Sequence, residues 1–161
     1  MGLFGNYLKT KKIKLACPVD GYVIELKKVE DGVFSEGMLG LGFAVQPENG
    51  HIYSPVSGRI TSIFPTKHAI GITYFNDIEV LVHMGVETVT LDGKPFDIFV
   101  EEGQKVNIGD HLANVDLKEL EKKKIQDTII VVVTNTNTAK SISKISEKFS
   151  KSGEIIATVN F

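Results

Sequence analysis

The sequence predicts an all-β protein, an antiparallel sandwich with little helix. Three observations carry this. Fifteen glycines and many β-branched residues alternate in short blocks along 161 residues, the pattern of short strands joined by tight turns. An internal echo relates Cys17-Pro18-Val19-Asp20-Gly21-Tyr22-Val23-Ile24 to Ser54-Pro55-Val56-Ser57-Gly58-Arg59-Ile60-Thr61. In both copies a rigid Pro-Val bend and a glycine lead into a strand, which suggests two similar halves. Finally, Gly103-Gln104-Lys105-Val106-Asn107-Ile108-Gly109-Asp110-His111-Leu112 reads as two tight turns around a short strand.

Composition fits one soluble domain with enough length for a sizeable core. Hydrophobic residues make up 42% and charged residues 24%, and the net charge of −2 gives no electrostatic case for nucleic acid. The longest apolar run, Ile129-Ile130-Val131-Val132-Val133, suits one buried strand and is far too short to span a membrane. Met1 to Leu8 lacks the pattern of a secretory signal. The lone cysteine, Cys17, forms no intramolecular disulfide and fits a reducing cytosol. A cytoplasmic protein is therefore expected.

Taking the elements in order, residues 1–14 read as a separate N-terminal tail and 15–161 as the domain. In the tail, apolar Leu3, Phe4, Tyr7 and Leu8 precede Lys9, Lys11, Lys12 and Lys14. A frayed tail and a small helix on an anionic lipid surface are both open readings. Ala69 to Tyr74 and Ile78 to Val82 read as a hairpin across Phe75-Asn76-Asp77. Leu117 to Lys124 reads as a short helix capped by Asp116, with Leu117, Leu120 and the Lys124 stem inward. Thr138 to Phe149 is ambiguous, because Ile142, Ile145 and Phe149 sit at helical spacing in a serine-rich stretch. Glu154 to Phe161 reads as a closing strand.

The hairpin carries the chemistry. Centred between Phe75 and Asn76, it places His68 directly opposite His83. Opposed Cβ atoms lie about 4.5–5.5 Å apart, and a register slipped by one pair leaves a diagonal of roughly 7–8 Å. Three explanations stand side by side. One histidine could be a satisfied core residue and the other a surface one. The pair could be half of a zinc site, although a structural site takes four ligands and a catalytic site three. Or a neutral imidazole could serve as a nucleophile for phosphoryl transfer, with the second donating N–H to the phosphoryl oxygens. Thr66, two residues before His68, could fix a tautomer, and Gly85 would admit a partner's backbone.

At this point a resemblance enters. Val82-His83-Met84-Gly85-Val86-Glu87-Thr88-Val89-Thr90-Leu91-Asp92-Gly93-Lys94-Pro95-Phe96 resembles the phosphorylation-site signature of the glucose-type enzyme IIA proteins. These belong to the bacterial phosphoenolpyruvate:sugar phosphotransferase system. Pro55 to Gly58 with Thr66-Lys67-His68-Ala69 is similar to the segment holding the family's second histidine. Asp31 to Ser35 and Gly40-Leu41-Gly42 match its earlier loop and glycine step. The likeness covers about Leu15 to Phe161. The turn pattern at Gly103 to Leu112 also resembles biotin-carrier and lipoyl domains, without their attachment lysine.

The resemblance implies a barrel-sandwich fold of the duplicated hybrid motif type and a phosphotransferase component. It implies that His83 takes a phosphoryl group from phospho-HPr on Nε2 and passes it to a cysteine of a sugar-specific IIB domain. By the same resemblance His68 donates a hydrogen bond and Thr66 orients it. Val33, Phe34, Phe64, Ile70 and Leu81 form an apolar collar for partners. Asp31 and Glu87 are flanking carboxylates. No cofactor is implied, save a zinc ion shared by His68 and His83 with a partner's carboxylate. The alternative reading is a regulatory protein that docks on metabolic enzymes or permeases through this apolar face. A zinc peptidase of similar architecture would need further His and Asp ligands, which this sequence lacks. Met84 and Leu81 stand where some relatives carry aromatics, and Glu87 where many carry Asp. His51 and His111 match no motif and read as turn-associated surface residues. A Met1 start fits a free subunit better than a piece of a fused transporter.

Overall fold

A computed structural model describes residues 12–75, 77–134 and 139–161. The N-terminal tail therefore lies mostly outside the described residues. Lys12, Ile13 and Lys14, assigned to the tail from sequence, already belong to the first strand.

The strands are β1 (Lys12–Ala16), β2 (Gly21–Glu25), β3 (Leu41–Pro47), β4 (His51–Tyr53), β5 (Gly58–Ile63), β6 (Ala69–Tyr74) and β7 (Ile78–Met84). They continue as β8 (Phe96–Ile98), β9 (Lys105–Val106), β10 (His111–Val115), β11 (Ile129–Val133), β12 (Ser141–Ile142), β13 (Phe149–Ser150) and β14 (Ile155–Asn160). An eight-stranded sheet runs in the order β13-β2-β3-β11-β7-β6-β5-β9, beside three-stranded sheets β1-β14-β12 and β4-β10-β8. Every recorded pairing is antiparallel, as expected for the sandwich. The echoed Pro-Val-x-Gly bends lead into β2 and β5, the second and seventh strands of the large sheet. β1 and β14 pair from Lys12 opposite Asn160, so both ends of the described chain lie side by side.

The helix α1 (Leu117–Lys122) forms where expected, and the Asp116 carboxylate accepts from the Glu119 N–H. Leu120 is buried, whereas Lys124 is exposed and in left-handed backbone rather than turned inward. The ambiguous stretch is not helical: its described residues include β12 and β13, with Ile142 paired to Val159. Serine gives little intrinsic helix preference there, and pairing with β14 decides the outcome.

β11 is buried along its whole length. Ile129, Val131 and Val133 join the main core between the sheets. Ile130 and Val132 face the other way, into a smaller apolar cluster with Ile24, Leu26, Val29, Phe34 and Ala44. Each fully buried Ile or Val of this kind contributes roughly 1.5–3 kcal/mol. The smaller cluster matters for the site, because it is the floor on which His83 rests.

Candidate functional site

One cross-strand row builds that floor. Ile24 pairs with Ala44, Ala44 with Ile130, Ile130 with His83, and His83 with Ala69. Directly opposed residues share a sheet face, so His83 projects over the small cluster while Val82 and Met84 enter the main core. Leu81, two residues earlier, shares the His83 face and packs against the same cluster.

The register differs from the sequence expectation. Ala69, not His68, stands opposite His83, in the register that sets Tyr74 opposite Ile78. His68 lies one residue before β6, and its carbonyl accepts from the Met84 N–H at 2.7 Å. Strict alternation from that pairing would send His68 toward the core with Met84. Its ring instead lies 5.0 Å from that of His83, centroid to centroid, at 74°. The turn before it explains the departure: the Lys67 N–H bonds the Phe64 carbonyl, and Lys67 is left-handed with φ of 60°. The irregular turn takes His68 out of the ladder's alternation. The aliphatic stem of Lys67 passes close to Gly93, where an added Cβ would meet it at 3.2 Å.

Each histidine has one ring nitrogen engaged. His83 Nδ1 lies 2.7 Å from the Gly85 carbonyl oxygen. A carbonyl only accepts, so Nδ1 carries the proton and neutral His83 keeps its lone pair on Nε2. Gly85 presents that carbonyl from a left-handed conformation, φ 78°, and a Cβ there would strike Thr88 at 2.4 Å. Thr88 in turn donates to the Met84 carbonyl at 2.6 Å. His68 Nδ1 lies 2.6 Å from the Thr66 hydroxyl. Burial, together with the neighbouring His68, pushes His83 down to about 4, against smaller upward pulls from the Gly85 carbonyl and Asp31. Burial also lowers His68. Both shifts favour the neutral imidazole.

Around them the expected collar is partly assembled. The Phe34 ring meets His83 edge-on at 4.9 Å, and the Phe64 ring meets His68 at 5.3 Å. Val33 and Phe64 are exposed at the rim, 42% and 39% respectively. Ile70 is a correction: it pairs with Val82, is wholly buried and belongs to the main core, so it is no part of an exposed collar. The alternation of β6 turns it away from His83. Asp31 uses both carboxylate oxygens to accept from the N–H groups of Val33, Phe34 and Ser35, at 3.0–3.1 Å. It therefore shapes the loop that carries Phe34, besides placing negative charge near His83. Glu87 is exposed and left-handed, φ 60°. With Asp31, Val86, Val89 and Lys124 it lines a groove of about 1070 Å³ beside the site, which neither histidine lines. Among the described residues no group of three or more His, Cys, Asp or Glu is arranged to hold a metal. Cys17 is buried, its thiol raised to about 11 chiefly by that burial. The Gly85 carbonyl and the left-handed Lys67 were not singled out from sequence. Gly85 and Gly93 inside the signature were the only hints of either.

Residues 13–139 match the family described as the phosphoenolpyruvate-dependent sugar phosphotransferase system, EIIA 1. The chain belongs to this family. A "PTS system glucose-specific EIIA component" of Mycoplasma capricolum is 43% identical over 147 residues, covering 91% of this chain and 95% of that one. Its namesake in Staphylococcus aureus is 37% identical over 153 residues, or 94% of this chain and 92% of the relative. A "PTS system glucose-specific EIICBA component" of Streptococcus pneumoniae is 49% identical over 138 residues, 86% of this chain but 18% of that protein's length. The solved structure of glucose permease IIA from Mycoplasma capricolum superposes with a TM-score of 0.85 at 42% identity, covering 92% of this chain and 96% of that one. As an EIIA protein, the chain is a phosphotransferase component of that system. No helix among the described residues is long and apolar enough to cross a membrane.

Proposed function

We propose that this EIIA protein carries a phosphoryl group on Nε2 of His83, received from phospho-HPr and delivered to a cysteine of a glucose-specific IIB domain. The observation that carries the reading is the His83 Nδ1–H bond to the Gly85 carbonyl, 2.7 Å. It directs the free lone pair to Nε2. In the first transfer, Nε2 forms the new N–P bond as the N–P bond of the donor histidine breaks. In the second, a thiolate sulfur takes the phosphorus and the His83 N–P bond breaks. Such transfers ask mainly for in-line placement and stabilisation of oxygen charge. The Thr66 hydroxyl, donating to His68 Nδ1, keeps a proton on His68 Nε2, where it can serve the phosphoryl oxygens. Phe34 and Phe64 against the rings limit water and protect the phosphohistidine. The name of the acceptor sugar comes from the relatives.

The test is incubation with phosphoenolpyruvate, enzyme I and HPr, read by intact mass. Wild type gains one phosphoryl group, and His83→Gln gains none. His68→Gln gains it but passes it on poorly. Acceptance by His83→Gln together with failure of His68→Gln would reverse the assignment.

Exposed Val33 and Phe64 favour a second use of the same face, docking of the unphosphorylated protein on a metabolic enzyme or permease. There His68 and His83 would be half of a zinc site that the partner's carboxylate completes. Pull-downs before and after phosphorylation test this, and equal capture in both states argues against it.

A further inference from the structure

The second pair of histidines is organised too. His51 opens β4 and stands directly opposite Asn114 of β10. His111 opens β10, and the bulge between His111 and Ala113 turns it to the same face as Asn114. His51 Nδ1 lies 3.0 Å, and His111 Nε2 2.8 Å, from one atom, the Asn114 Oδ1. The His111 ring packs against Phe99 at 4.7 Å and Tyr53 at 5.1 Å, so its orientation is held. The His51 backbone is fixed as well, its N–H donating to the Asn49 side chain at 3.0 Å. Asp97 on β8, opposite Asn114, adds negative charge to the face.

We propose that His51, His111 and the Asn114 carboxamide oxygen bind an imidazole-preferring divalent cation of the zinc, nickel and copper class, with water completing its shell. Neutral imidazole suits these ions. Ligands about 2.0–2.2 Å from one tetrahedral ion lie about 3.3–3.5 Å apart. The two nitrogen–oxygen spacings would lengthen by roughly half an ångström, and the two rings, 6.0 Å apart centroid to centroid, lie near enough to share one ion. Each ring shifts its proton to the other nitrogen, and no proton leaves. No further His, Cys, Asp or Glu completes the set among the described residues, so the ion stays exchangeable. The cation would tie β4 to β10, on a sheet separate from the one that carries His83.

The probe is zinc chloride, titrated calorimetrically into the full chain. A His68→Gln/His83→Gln background removes the competing imidazoles. One equivalent is expected to bind, and adding His51→Gln or His111→Gln should weaken it at least tenfold. Circular dichroism checks that each variant is folded. In imidazole proton–nitrogen spectra of wild type, zinc should shift the His51 and His111 resonances together. Phosphoryl acceptance of His51→Gln should match wild type. Zinc binding that is absent in the background, or unchanged by both substitutions with both resonances unmoved, overturns the proposal.

Discussion

The rings of His68 and His83 stand 5.0 Å apart although neither residue is the other's strand partner. Their meeting depends on a turn that breaks alternation at the mouth of a hairpin. The site is therefore sensitive to residues that touch no phosphate.

Lys67 is the first of these. It holds a left-handed conformation immediately before His68. Glycine adopts it without strain, whereas a β-branched residue is a true outlier there. Lys67→Gly should retain both transfers. Lys67→Val should lose about 1–3 kcal/mol of stability, slow delivery to the acceptor, and change the His68 ring-nitrogen shifts. Thermal melts, single-turnover transfer and nuclear magnetic resonance check the three effects.

Removing the Thr66 hydroxyl takes away the partner of His68 Nδ1. A hydrogen bond of this kind contributes about 0.5–1.5 kcal/mol, equivalent to as much as about tenfold in rate. Thr66→Ala should accept a phosphoryl group on His83 and deliver it up to about tenfold more slowly, as read by quenched flow with an acceptor domain. Thr66→Ser should restore most of the rate.

The floor and the rim should separate stability from docking. Ile130 is wholly buried beside His83 on the neighbouring strand. Ile130→Ala should cost about 2–5 kcal/mol in chemical denaturation. Val33 is 42% exposed, and Val33→Ser should leave stability within about 0.5 kcal/mol while weakening capture by the phosphoryl donor. A stability loss at Val33 equal to that at Ile130 would contradict this division.

The pH dependence has a definite sign. His83 is held down to about 4 from an ordinary 6.5, so between these values the unfolded chain binds a proton that the folded chain refuses. Stability from this group is complete above pH 6.5 and falls as pH drops through 4. Acceptance of phosphoryl groups should be flat from neutral pH down to about 5 and fail near 4, where Nε2 protonates. Titration of the His83 ring resonances and single-turnover rates check both.

Much of this was legible in the residues, unevenly. The hairpin, the α1 cap at Asp116 and the buried β11 follow from local pattern, because each rests on alternation or capping within a few positions. The signature around His83 carried the family. The register missed by one residue, since Tyr74 pairs with Ile78 and every pair beyond follows from it. Ile70, which the resemblance places in the collar, pairs with Val82 and lies in the core. The Gly85 carbonyl escaped notice because tautomer control comes from main-chain geometry rather than residue type. Asp31 was read for its charge, but three N–H bonds make it equally the keystone of a loop.

The side-by-side placement of Lys12 and Asn160 has its own outcome. Chain continuing outward from Lys12 and chain continuing from Asn160 leave the sheet side by side. A domain joined ahead of β1 and one joined behind β14 would therefore start from the same edge of the fold. Between any two domains so joined, effective concentration is set by the length and stiffness of the linker. The closing of β14 against β1 gives the fold a single edge at which chain can enter and leave.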